Sequence, residues 1–140
     1  GDGMGVVGSV GNEFLVLKKD FSSKTHNFIY IPNNATAIGF DYRIQNGEAG
    51  TIPNVDRLEV KIGDVTLNKY VWLKKDDESD NFRKATIMLK SNSYDFRNTV
   101  NLIRFLINKG GWALNTEVHI DNVEFIINQS TPWLFPLLFD

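Results

Sequence analysis

The sequence predicts an all-β protein, an antiparallel β-sandwich of about eight strands, and three observations predict it. Apolar residues recur with period two, as in Ile38, Phe40, Tyr42 and Ile44 and again in Leu58, Val60 and Ile62. Turn clusters rich in Gly, Pro, Asn and Asp separate these short runs. No stretch carries a convincing helical stripe. Strands with one apolar and one polar face must bury the apolar face against something, and another such sheet is the simplest partner.

At 140 residues the chain suits a single domain with one sizeable core. An apolar fraction of 42% with 23% charged residues is the balance of a globular protein. The net charge of -2, with both signs interspersed, argues against a nucleic-acid groove or a polybasic membrane patch. The absence of cysteine excludes disulfides, thiolate chemistry and cysteine zinc sites.

Residues 1–10 hold four glycines and read as a linker into the domain, and Gly-Asp-Gly-Met-Gly shows no basic-then-apolar leader, so a signal peptide is expected to be removed or never present. The sandwich is expected over residues 11–127. Glu13 to Lys18 is its first apolar-rich strand, and Asn27 to Ile31 the next, broken by Pro32-Asn33-Asn34. Ile38 to Ile44 alternates cleanly against Gly39, Asp41 and Arg43; Gln45 to Asn54 is a long loop. Leu58, Val60 and Ile62 alternate against Arg57, Glu59 and Lys61, a pattern expected to place these charges beside Asp41 and Arg43 as cross-strand ion pairs on a wet face.

Gly63-Asp64 turns the chain into Val65 and Leu67, then Tyr70 to Leu73. Lys74 to Asp80 is a charged loop, either a solvated turn or a weak cation attractor. Phe82 to Leu89 is a strand and Ser91 to Asn98 a polar loop. Val100 to Ile107 is apolar on both parities except at Asn101 and Arg104, which predicts a central strand covered on both sides.

The closing strand, Val118 to Phe125, breaks its own alternation. Val118 and Ile120 share one parity, and Val123, Phe125 and Ile127 the other. A half-buried strand changes parity only through a bulge or bend, so Asp121 and Asn122 should sit at one. Two oxygen-bearing side chains there suit a structural cation or a crossing between sheets; alternatively Asp121 caps the bulge or pairs with a lysine. His119 and Asp121 are two residues apart and could form an acid–base pair, but no nucleophile turn or further ligand accompanies them, and a structural histidine is the alternative. Residues 128–140 form an apolar tail, Trp133 to Phe139 with Pro136 inside, too short to cross a bilayer and expected to pack on its own domain or a partner.

Sugar binding requires aromatic faces ringed by planar hydrogen-bonding groups. Trp112 follows two glycines in a loop, Tyr94 lies in the polar loop, and Trp72 and Tyr70 share a parity opposite Val71 and Leu73. Asn101 and Arg104 interrupt an apolar strand and could line a cleft, on opposite parities. Each has a structural reading beside the ligand-binding one.

The alternating Gly39-Phe40-Asp41-Tyr42-Arg43 strand, the Thr99 to Phe105 run and the closing Ile120-Asp121-Asn122-Val123 motif resemble the galactose-binding-like jelly rolls. The resemblance is to the calcium-containing carbohydrate-binding modules appended to bacterial polysaccharide-degrading enzymes. It implies a jelly-roll sandwich and a structural calcium held by Asp121 with Glu13 near the first strand. It implies further a non-catalytic module of a larger secreted or cell-surface bacterial protein that holds a polysaccharide or glycan. The alternative is a protein-interaction, adhesin or surface-assembly sandwich without a sugar ligand, using the apolar tail or a sheet face for self-association or a partner protein. No enzyme activity, nucleic acid or membrane span is expected.

Overall fold

The structure is a computed structural model that describes residues 4–7, 14–18, 22–24, 28–47, 57–67, 71–108, 116–127, 134–137 and 139. Its strands are β1 (Met4–Val7), β2 (Phe14–Lys18), β3 (Ser22–Lys24), β4 (Ile29–Ile31), β5 (Ala35–Gln45), β6 (Arg57–Ile62), β7 (Val65–Thr66), β8 (Val71–Trp72), β9 (Arg83–Met88), β10 (Thr99–Asn101), β11 (Ile103–Asn108), β12 (Glu117–Ile127) and β13 (Leu134–Pro136). One 3-10 turn, Lys75–Asp77, is the single helical element among the described residues.

Every ladder among the described residues is antiparallel. One sheet runs β1-β2-β12-β5-β9, with β13 also on β12; another runs β3-β11-β6-β7, with β8 on β6; β10 and β4 form a separate pair. Leu102 alone separates β10 from β11, and β3 and β4 both pair with that stretch, so each couple acts as one interrupted strand. Treating β7 and β8 likewise, and leaving aside β1 and β13, gives eight strands in the orders first-eighth-third-sixth and second-seventh-fourth-fifth. Successive strands alternate between the sheets except at the fourth and fifth, which pair as a hairpin in one sheet, and this is the jelly-roll order.

The core lies between the two sheets because each contributes its apolar parity. Ile38, Phe40 and Ile44 on β5 and Val118 and Ile120 on β12 meet Leu58, Val60 and Ile62 on β6 and Ile103, Phe105 and Ile107 on β11. Phe40 and Phe105 bridge the sheets edge to face, with ring centroids 5.0 Å apart at 82°. That geometry places the positive edge of one ring on the negative face of the other.

The parity break is a β-bulge. On β12, Asp121 pairs with Asp41 but Glu124 pairs with Gly39, a slip of one residue. Asn122 absorbs it with φ at +51°, a left-handed conformation that asparagine tolerates better than most residues. The bulge also falls where the neighbour changes: β2 pairs with β12 only as far as Ile120, and β13 takes over from Glu124 to Ile126.

Within residues 1–10, expected as a linker, Met4–Val7 pairs with β2. Two expectations are corrected. Val100 to Ile107 is not covered equally on both sides: Ile103, Phe105 and Ile107 are buried and Leu102, Arg104 and Leu106 half-buried, whereas Val100 is 59% exposed. The charges of β6 do not meet Asp41 and Arg43, which lie in the other sheet. Glu59 is buried at 4% exposure, and its carboxylate accepts a 2.8 Å bond from Arg57 Nε on its own strand. In the tail, Leu137 N–H donates to Val123 O, and Phe139 is buried with its ring 5.3 Å from Phe105.

Candidate ligand-binding face

The most distinctive surface is the outer side of the β4–β10 pair. Ile31 is buried and Ile29 packs on the core, so the opposite parity of the segment turns outward, with Phe28 68% and Tyr30 53% exposed. Across the ladder Tyr30 is the register partner of Val100. Val65 and Met88, the other exposed large apolar side chains among the described residues, stand apart on β7 and β9. Phe28, Tyr30 and Val100 thus form a small apolar platform that water must solvate unless a ligand covers it.

Hydrogen bonds position the Tyr30 side of the platform. The preceding loop is pinned by Arg97, whose backbone N–H and Nε donate to Asp95 Oδ1 at 3.1 and 2.9 Å and whose Nη2 donates to Oδ2 at 2.8 Å. These bonds, the side-chain one first, hold the Asp95 carboxyl at about 2, below its ordinary value of 3.8. Asn98 adopts φ +58°, its N–H donates to Ile31 O, and its Oδ1 accepts the Tyr30 hydroxyl at 2.9 Å. That bond fixes the Tyr30 ring at the platform edge and leaves the Asn98 amide beside it.

Of the residues that the sequence singled out, the described ones fall in different elements. Tyr94 is half-buried, its ring 5.2 Å from Phe96 and its hydroxyl donating to Met88 O at 3.3 Å. Asn101 lies on the core parity of β10 and donates to Thr99 Oγ1 at 2.9 Å, whereas Arg104 follows Val100 on the outer parity of β11. Trp72 stands in β8 opposite Arg57. Trp112, Tyr70 and Glu13 lie outside the described residues, as does Trp133 of the tail. Phe28, Tyr30 and Val100 were missed, although the signal was present: both segments are apolar on both parities, and the second apolar parity is the outward one.

The closing strand carries a different polar arrangement on the other sheet. Arg43 Nε donates to His119 Nδ1 at 2.8 Å, so Nδ1 accepts and the proton resides on Nε2, which donates to Glu117 Oε1 at 2.8 Å. Arg43 also reaches Asp80 O and stacks 4.6 Å over the Phe82 ring. His119 is buried at 8% and takes these partners instead of Asp121. Asp121 Oδ1 accepts the Asn122 N–H, and Asn122 Nδ2 donates to Asp41 Oδ2, both at 2.8 Å, with Lys84 Nζ 3.7 Å from Asp41 Oδ1. Donors therefore offset the two opposed carboxylates, and among the described residues no three His, Asp or Glu side chains gather as a metal-ligand group.

No helix among the described residues is long and apolar enough to cross a membrane. Comparison with protein-family models, with curated proteins and with solved structures found no match to this chain.

Proposed function

We propose that the chain is a non-catalytic carbohydrate-binding module of a larger secreted or cell-surface bacterial protein, taking a glycan on the β4–β10 face. The observation that carries the reading is the platform of Phe28, Tyr30 and Val100, two exposed aromatic rings on a β-ladder beside the Asn98 amide. Pyranose rings present apolar C–H faces and a rim of hydroxyls, and this surface offers aromatic area for the first and an amide for the second. The hydroxyl bond pre-positions the Tyr30 ring, which lowers the side-chain entropy it has to lose on binding.

Structural calcium belongs to the same proposal. Asp121 is its remaining described candidate, with Oδ2 the carboxylate oxygen that makes no bond among the described residues. A cation there would add oxygen coordination at the bulge and tighten the closing strand.

A polysaccharide affinity screen with and without chelator tests both parts. Binding to at least one glycan, lost in Phe28→Ala/Tyr30→Ala with an unchanged melting temperature, is the expected result. Binding that survives the double substitution would remove the face from the proposal, and an identical melting temperature with chelator would remove the calcium. A protein partner would use the same apolar face, and light scattering that shows self-association abolished by the double substitution would favour that second reading.

A further inference from the structure

Four residues along the same outer face, the structure assigns an anionic character to the ligand: we infer that the glycan is an acidic polysaccharide, carrying carboxylate or sulfate groups. The inference rests on the carbohydrate reading and narrows it.

Arg104 of β11 is the direct register partner of Lys61 on β6, and of Lys24 on β3 at its other side. Three cationic residues therefore occupy one row across three adjacent strands. Like charges placed directly opposite in an antiparallel ladder repel and are ordinarily avoided or interleaved with carboxylates. Here Arg104 and Lys61 are both half-buried, and neither has an ion-pair partner among the described residues. The carboxylate next along β6, Glu59, is buried against Arg57 at 2.8 Å. With a chain net charge of -2, the row is a local arrangement and not the consequence of a basic protein.

Val100 and Arg104 are four residues apart on the outer parity, about 13 Å along the strand direction. An extended chain can thus lay sugar rings on Phe28 and Tyr30 while its acidic groups reach Arg104 and Lys61. Arg104 supplies a planar fork suited to carboxylate or sulfate, and Lys61 a compact charge beside it. Supply of the missing counter-charge would relieve the repulsion within the row, so the ligand gains what the free protein lacks.

The experiment compares polygalacturonate, dextran sulfate, a neutral β-glucan and single-stranded DNA by affinity electrophoresis and calorimetry, using the full chain. The expected result is preference for one or both acidic polysaccharides, weakening as salt rises. Lys61→Gln/Arg104→Gln should weaken that binding by about tenfold or more, while Lys61→Arg retains it. Melting temperatures of all variants establish that they fold. Equal or tighter binding of neutral glucan, or acid binding that the double substitution leaves intact, overturns the inference while the carbohydrate reading stands. Failure to bind any polysaccharide overturns both, and binding of DNA as tight as that of the acidic polymers overturns the assignment to a glycan.

Discussion

Deleting Asn122 should unfold the domain, although the residue is exposed and belongs to no core. The bulge keeps Val118 and Ile120 on the inner side before it and Val123, Phe125 and Ile127 on the inner side after it. Without the extra residue, the strand can keep only one of these sets in register. Losing the second set turns three side chains, now 5%, 2% and 3% exposed, out of the core. At about 1.5–3 kcal/mol each, that is about 5–9 kcal/mol. Losing the first set costs about 3–6 kcal/mol. Either figure is comparable with the whole stability of a domain, about 5–15 kcal/mol. Substitutions grade the same argument. Asn122→Gly suits φ +51° and sacrifices only the bond to Asp41, a net cost of about 1 kcal/mol or less. Asn122→Val adds the left-handed penalty for a β-branched residue and should cost about 2–3 kcal/mol. Urea unfolding followed by circular dichroism reads both. A deletion variant with the parent midpoint, or a valine variant more stable than the glycine one, would refute the bulge as the device that sets the strand's register.

The Asp95 carboxyl should titrate by NMR with a midpoint of about 2 rather than 3.8. Because the folded value is depressed, its contribution to stability is fully present above the ordinary value and is lost as pH falls from 3.8 through about 2; Asp95→Asn should remove that part of the acid dependence. Phe105→Ala should cost about 3–5 kcal/mol in urea unfolding, since the ring joins Phe40 to Phe139. Phe139→Ala should cost less, about 2–4 kcal/mol, and a variant as stable as the parent would place the tail's end outside the core. Arg57→Ala should destabilise by about 2–3 kcal/mol in the same assay by removing the partner 2.8 Å from the buried Glu59 carboxylate, whereas an exposed ion pair such as Lys84 to Asp41 would lose under about 1 kcal/mol.

The bulge was legible because burial leaves its mark residue by residue: a strand with one face inside cannot hide a change of parity. The candidate face was half legible. Phe28 and Tyr30 alternate with Ile29 and Ile31, and Val100 with the core positions of its strand, so the sequence shows two apolar faces where one is enough for a sandwich. It does not show which face is open. His119 shows the same limit. Asp121 is its neighbour in sequence parity, yet Arg43, 76 positions away, takes Nδ1 because β5 lies beside β12.

By itself, then, the sequence determined the all-β sandwich class, most strand positions and the site of the bulge, since each follows from periodicity and turn chemistry within a few residues. Only the tertiary structure decided that Tyr30 stands beside Val100, that Arg104 faces Lys61, that Glu59 is buried, and which apolar parity meets solvent. Those facts depend on which distant strands pair and in what register, and register is a property of the assembled sheets, set by the sum of all cross-strand contacts and not by any one segment.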